Sequence, residues 1–142
     1  MRALWPWLSL SALLSATAIA AEPAAEAAKS YRIDTEGTTR VLKPGGEGQL
    51  VLAIVPVGAT HVDPAAPLRI SLSGSFGLRL PRRALGHLDA VDPKASGPRF
   101  EVPFSATEPG AQEARARIEF FICSERWCVR ESRDVSVAVD VR

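Results

Sequence analysis

The chain has 142 residues, 17 Lys and Arg against 16 Asp and Glu, 46% apolar residues and two cysteines. A charge balance so close to neutral gives no long-range field to gather nucleic acid or an anionic membrane surface, so neither is expected as a partner. The length suffices for one domain with a core of its own, so the cysteines are not needed merely to make the chain fold.

Residues 1–20, MRALWPWLSLSALLSATAIA, carry an early charge at Arg2, an apolar serine-dotted run and the small-residue pattern Ala18-Ile19-Ala20. This is the layout of a cleavable secretory signal. The apolar run after Trp7 is about thirteen residues, short of the roughly 20 that span a bilayer, so the mature chain is expected to have no membrane span. Cleavage takes Arg2 from the 17 basic residues and no acid, leaving 16 of each sign. The expected location is periplasmic or secreted. Residues 21–29, AEPAAEAAK, read as a flexible leader whose alanines allow part of it to become helical.

From Ser30 to Arg142 the texture is that of one β domain. Candidate strands are SYRIDTE at 30–36, EGQLVLAIVPV at 47–57, LRISLS at 68–73, GLRL at 77–80, PRFEVPFSA at 98–106, EARARIEFFIC at 113–123 and DVSVAVDV at 134–141. Phe100, Val102 and Phe104 recur at every second position, as do Val135, Val137, Val139 and Val141, which marks one buried and one exposed face. The run at 50–57 is apolar on both parities and suits a central strand covered on both sides. PGG at 44–46, DPAAP at 63–67, DPKASGP at 92–98 and EPG at 108–110 read as turns or loops. The segment 81–97 is long for a plain connection and has room for one short helical turn. About seven short strands with such punctuation predict an all-β, immunoglobulin-like antiparallel sandwich. Its core should include Leu52, Ile54, Leu72, Phe100, Val102, Phe104, Ile118, Phe120 and Val137.

FFICSERWCVRE, residues 120–131, holds both cysteines, four residues apart. Two cysteines in an exported chain favour a disulfide, because that compartment oxidises paired thiols. With the flanks as a hairpin, Cys123 and Cys128 face each other at its mouth, where opposed Cα atoms lie roughly 4.5 Å apart, within reach of a disulfide. Parity puts Cys123 with Arg115, Arg117, Glu119 and Phe121, and Cys128 with Arg130, Ser132, Asp134 and Ser136. Both sulfurs should therefore lie on the polar face, more accessible than a staple requires. Closing so short a loop stabilises by only roughly 2 kcal/mol in the chain-entropy account. A structural staple and an exchange-active pair both remain open on this reading.

Other chemistry has less support. Cys123, Cys128, His61 and His87 make a poor zinc set, since the histidines lie 26 positions apart where structural zinc usually takes tightly spaced pairs. No Gly-x-Ser-x-Gly elbow, phosphate-cradling loop or dinucleotide fingerprint occurs. Neither a cofactor nor a metal is expected.

The aromatic strand with Phe120 and Phe121, the Cys123–Cys128 hairpin and the closing VSVAVDV resemble the N-terminal periplasmic immunoglobulin-like domain of the thiol:disulfide interchange protein DsbD. GATHVDPAAPLRISL, residues 58–72, is similar to a second landmark of that family, a glycine-to-histidine turn followed by proline and an apolar strand. Where family members often have proline soon after the second cysteine, this chain has Val129-Arg130-Glu131. The resemblance, over residues 40–141, implies a thiol-disulfide exchange module that works with a thioredoxin-like or other periplasmic redox partner. On it, Cys123 and Cys128 are the reactive pair, Arg126 and Arg130 stand near enough in sequence to stabilise a thiolate, and Phe121 or Trp127 shields the sulfurs. The alternative is a non-catalytic sandwich that binds a protein while its disulfide holds a hairpin.

Overall fold

The computed structural model describes residues 21–142. The segment read as a secretory signal lies outside the described residues. The described residues run through a helix α1 (Ala21–Lys29) and ten strands: β1 (Tyr31–Asp34), β2 (Val41–Leu42), β3 (Glu47–Pro56), β4 (His61–Val62), β5 (Arg69–Gly74), β6 (Leu78–Arg79), β7 (Ala84–Leu85), β8 (Arg99–Ala106), β9 (Gly110–Cys123) and β10 (Cys128–Val141).

The strands form two sheets. One has the order β1-β3-β8-β6; the other has the order β2-β10-β9-β5-β7, with β4 also paired to β9. Splitting the N-terminal strands between both sheets, with the last two strands central to the second, is the partition of an immunoglobulin-like sandwich. Pairing is antiparallel except between β2 and β10, which run parallel.

Period two explains the core. Phe100, Val102, Phe104 and Ala106 of β8 turn inward and are at most 2% exposed. They meet Ile118, Phe120 and Ile122 of β9 and Val137, Val139 and Val141 of β10 in one continuous cluster. Every residue expected in the core is buried. On β3, Leu50, Leu52 and Ile54 face this cluster, while Val51 on the opposite face is also buried. The cover over Val51 is the segment before β2: the Thr38 hydroxyl accepts the Val51 N–H at 2.9 Å, and Gly37, at φ +95°, lies against the Val51 side chain. A β-carbon at Gly37 would meet Val51 at 3.3 Å in a backbone conformation that L-residues rarely adopt.

The long connection 81–97 contains β7 and a short 3-10 turn at His87–Asp89. Asp89 fastens that turn: its carboxylate accepts the Gly86 N–H at 2.8 Å and pairs with Arg82 at 2.7 Å. The Gly86 bond, and then Arg82, hold the Asp89 carboxyl below its ordinary value.

Residues 21–29 differ from the flexible leader expected. They are helical, and Ala27 is fully buried. Docking supplies what a nine-residue helix lacks in isolation: Arg133 of β10 donates to the Ala28 carbonyl at 3.1 Å and to the Tyr31 hydroxyl at 2.6 Å. The Tyr31 ring meets Phe120 edge-on at 4.9 Å between centroids. Its burial pushes the phenol above its ordinary pKa, against the opposing pull of the Arg133 hydrogen bond.

Because the Phe104 ring is buried in the core cluster and packs over Gly48, Phe104→Ala should destabilise the domain by about 3–5 kcal/mol. Urea unfolding followed by circular dichroism measures it, with a β-rich spectrum before the transition.

Candidate functional site

β9 and β10 pair one-for-one from Gly110↔Val141 to Cys123↔Cys128. No bulge interrupts this ladder, so the two cysteines end it directly opposite each other, with Cα atoms 4.1 Å apart and the sulfurs bonded. The turn between them is set by Ser124, whose hydroxyl accepts the N–H of Arg126 at 3.1 Å and of Trp127 at 3.3 Å, while its own N–H bonds the Trp127 carbonyl at 2.8 Å. Serine opening a tight turn in this way is a common side-chain mimic of a backbone turn.

The outer face carries the disulfide, as parity predicts, but the two sulfur-bearing residues differ in access. Cys128 is exposed and Cys123 is only 2% exposed. The cause is β4, a two-residue strand on the far side of β9, where His61 pairs with Cys123 and Val62 with Ile122. His61, Cys123 and Cys128 therefore stand abreast in one cross-strand row. The chain then leaves the ladder through the Asp63–Leu68 excursion and rejoins β9 at Arg69↔Glu119.

That excursion brings Asp63 to the pair. Its N–H bonds the Phe121 carbonyl at 3.1 Å, its Oδ1 accepts the Ala65 N–H at 2.9 Å, and its carboxylate and both sulfurs all lie within 4.8 Å of one another. Asp63 was not singled out from the sequence. Its signal was the Asp-Pro start of a turn immediately after the glycine-to-histidine landmark. With both sulfurs in the disulfide, Asp63 is the remaining member of this group with a free ligand atom; His87 lies elsewhere, its Nε2 2.7 Å from the Ala66 carbonyl oxygen.

The supporting residues divide between the two faces. Phe121 is half-buried on the sulfur face and lines a cleft of about 420 Å³ with Pro67, Arg69, Glu119 and Arg130. Arg130 points along that cleft to Glu119 at 3.3 Å. Arg126 is exposed on the turn. Trp127 does not cover the disulfide: it packs on the core side, and its indole N–H donates to Glu26 of α1 at 2.9 Å. The aromatic beside Cys128 thus ties the hairpin to the helix, and Phe121 is the aromatic on the sulfur face.

No family model and no curated protein matches this chain. Among solved structures, a conjugative transposon lipoprotein from Bacteroides eggerthii is similar at 8% identity and a TM-score of 0.46, over 78% of this chain and 96% of that one. A likeness of that degree carries no inference about this chain. No helix among the described residues is long and apolar enough to cross a membrane.

A carboxylate within 4.8 Å of a sulfur repels a thiolate formed there by about 1 kcal/mol in water-like surroundings. Asp63→Asn keeps a side chain able to hold the turn and removes the charge. In the reduced protein it should speed alkylation of Cys128 by iodoacetamide roughly fivefold near neutral pH, read by mass spectrometry over time.

Proposed function

We propose that the chain is an exported thiol-disulfide exchange module whose Cys123–Cys128 pair passes electrons to or from a thioredoxin-like partner. The observation that carries this reading is the asymmetry at the hairpin mouth: one cysteine exposed, its bonded neighbour covered by β4. An incoming thiolate attacks a sulfur that it can approach in line, and on this reading that sulfur belongs to Cys128.

A partner thiolate bonds to the Cys128 sulfur, the Cys123–Cys128 bond breaks, and its electron pair leaves on Cys123, which takes a proton. The partner's second thiol then attacks the mixed disulfide and releases Cys128 as the second thiol. The module gains two electrons and two protons, and the partner's dithiol becomes a disulfide. The reverse sequence oxidises a partner. Asp63 disfavours thiolate on either sulfur, Phe121 flanks the reacting pair, and the cleft it shares with Arg69 and Arg130 receives the partner's surface beside the exchanging bond. A periplasmic or secreted location fits the oxidised pair.

Incubating the oxidised protein with a thioredoxin that lacks its resolving cysteine, then quenching in acid, should yield a mixed disulfide that peptide mapping places on Cys128. A binding module held by a structural disulfide gives no adduct until the fold is denatured, and that result would overturn the reading.

A further inference from the structure

β10 offers its backbone groups alternately to its two sides. Its even positions point away from β9: the Asp140 N–H bonds the Arg40 carbonyl at 2.7 Å, and the next even residue, Arg142, bonds Leu42 at 2.9 Å. β2 covers this side only at Asp140 and Val141. Between Cys128 and Ala138 the outward N–H and C=O groups have no backbone partner among the described residues. Arg130, Ser132, Asp134, Ser136 and Ala138 are all exposed there.

Natural sheets blunt such edges with proline, bulges, short strands, like charges that repel a second edge, or a covering helix or loop; α1 reaches β10 through the side chains of Trp127 and Arg133 and bonds none of its outward backbone groups. β10 has neither proline nor glycine, and its ladder with β9 is unbroken. Its charges are mixed in sign: Arg130, Glu131, Ser132, Arg133 and Asp134 read plus, minus, neutral, plus, minus. Reversed, the run has the opposite sign at every charged position.

We propose that this edge pairs antiparallel with the same edge of a second copy of the chain, about a two-fold axis at Ser132. Outward-pointing positions must face outward-pointing positions for the ladder bonds to form, so the axis falls on a residue. At 131, 133 or 134 it sets Glu131, Arg133 or Asp134 opposite its own copy. At Ser132 it sets Arg130 opposite Asp134 on the outer face and Glu131 opposite Arg133 on the inner face, each twice by symmetry. The existing outer-face partners do not block this. Asp134 and Arg130 bond Arg117 and Glu119 through side chains that are 77% and 66% exposed, and exposed pairs re-form at little cost. On the inner face Arg133 is held by Tyr31 and Ala28 and Glu131 lies beside Tyr31, so the register rests on the outer-face pairs. The surface stands whether or not the disulfide exchanges.

Sedimentation equilibrium from micromolar to millimolar protein tests it and should find a monomer–dimer equilibrium. Arg130→Asp sets carboxylates opposite each other at both symmetric positions and should weaken the dimer roughly tenfold or more. The double variant Arg130→Asp, Asp134→Arg restores opposite signs in this register and should recover the wild-type constant to within about threefold. Ser132→Pro, which removes only an outward N–H, should leave a folded monomer. A wild-type monomer throughout the range overturns the proposal, as does a dimer indifferent to Arg130→Asp or one that the double variant does not rescue.

Discussion

The unbroken register of β9 with β10 is the constraint on which the rest of this domain depends. Fourteen residue pairs without a bulge fix three things together. They send Ile118, Phe120, Ile122 and the valines of β10 into the core, they set Cys123 against Cys128 at the last rung, and they orient the outward backbone of β10. A one-residue slip would turn the valine face toward solvent and part the cysteines, so core burial itself holds the disulfide in place. The hairpin is anchored over its length by packing, and the disulfide closes its mouth.

That mouth is asymmetric because two different neighbours flank it. On one side β4 and the Asp63 turn lie along β9 and bury Cys123. On the other, none of the described residues pairs with β10 until β2, so Cys128 remains open. α1 acts on the opposite face, where Trp127 and Arg133 bind it at Glu26 and Ala28. The helix therefore braces the hairpin from beneath without occluding the disulfide.

Much of this was legible in the sequence, for identifiable reasons. The long strands carry period-two patterns that survive in the structure, and the opposed cysteines follow from hairpin spacing. β2, β4 and β7 have two residues each, too few for any period to register, and it is β4 that decides the burial of Cys123. The docking of α1 is equally invisible locally: Ala27 reads as one alanine among several until the surface of β10 is beside it. Sequence adjacency places Trp127 beside Cys128, but Trp127 belongs to the turn before β10 and its side chain goes to the core side and Glu26, which leaves Phe121 as the aromatic on the sulfur face. Asp63 was missed because its approach to the sulfurs arises from the excursion between β4 and β5, a tertiary feature.

The central claim is that this disulfide is an exchange site in the native fold. The measurement that bears on it most directly is the reduction potential of Cys123–Cys128 in the folded domain, equilibrated against glutathione or thioredoxin buffers. The account predicts a potential above about −300 mV, reached without unfolding, whereas a structural staple lies below that value and resists reduction until the fold opens. A native-state value well below it would contradict the account and leave the pair as a clasp on the hairpin.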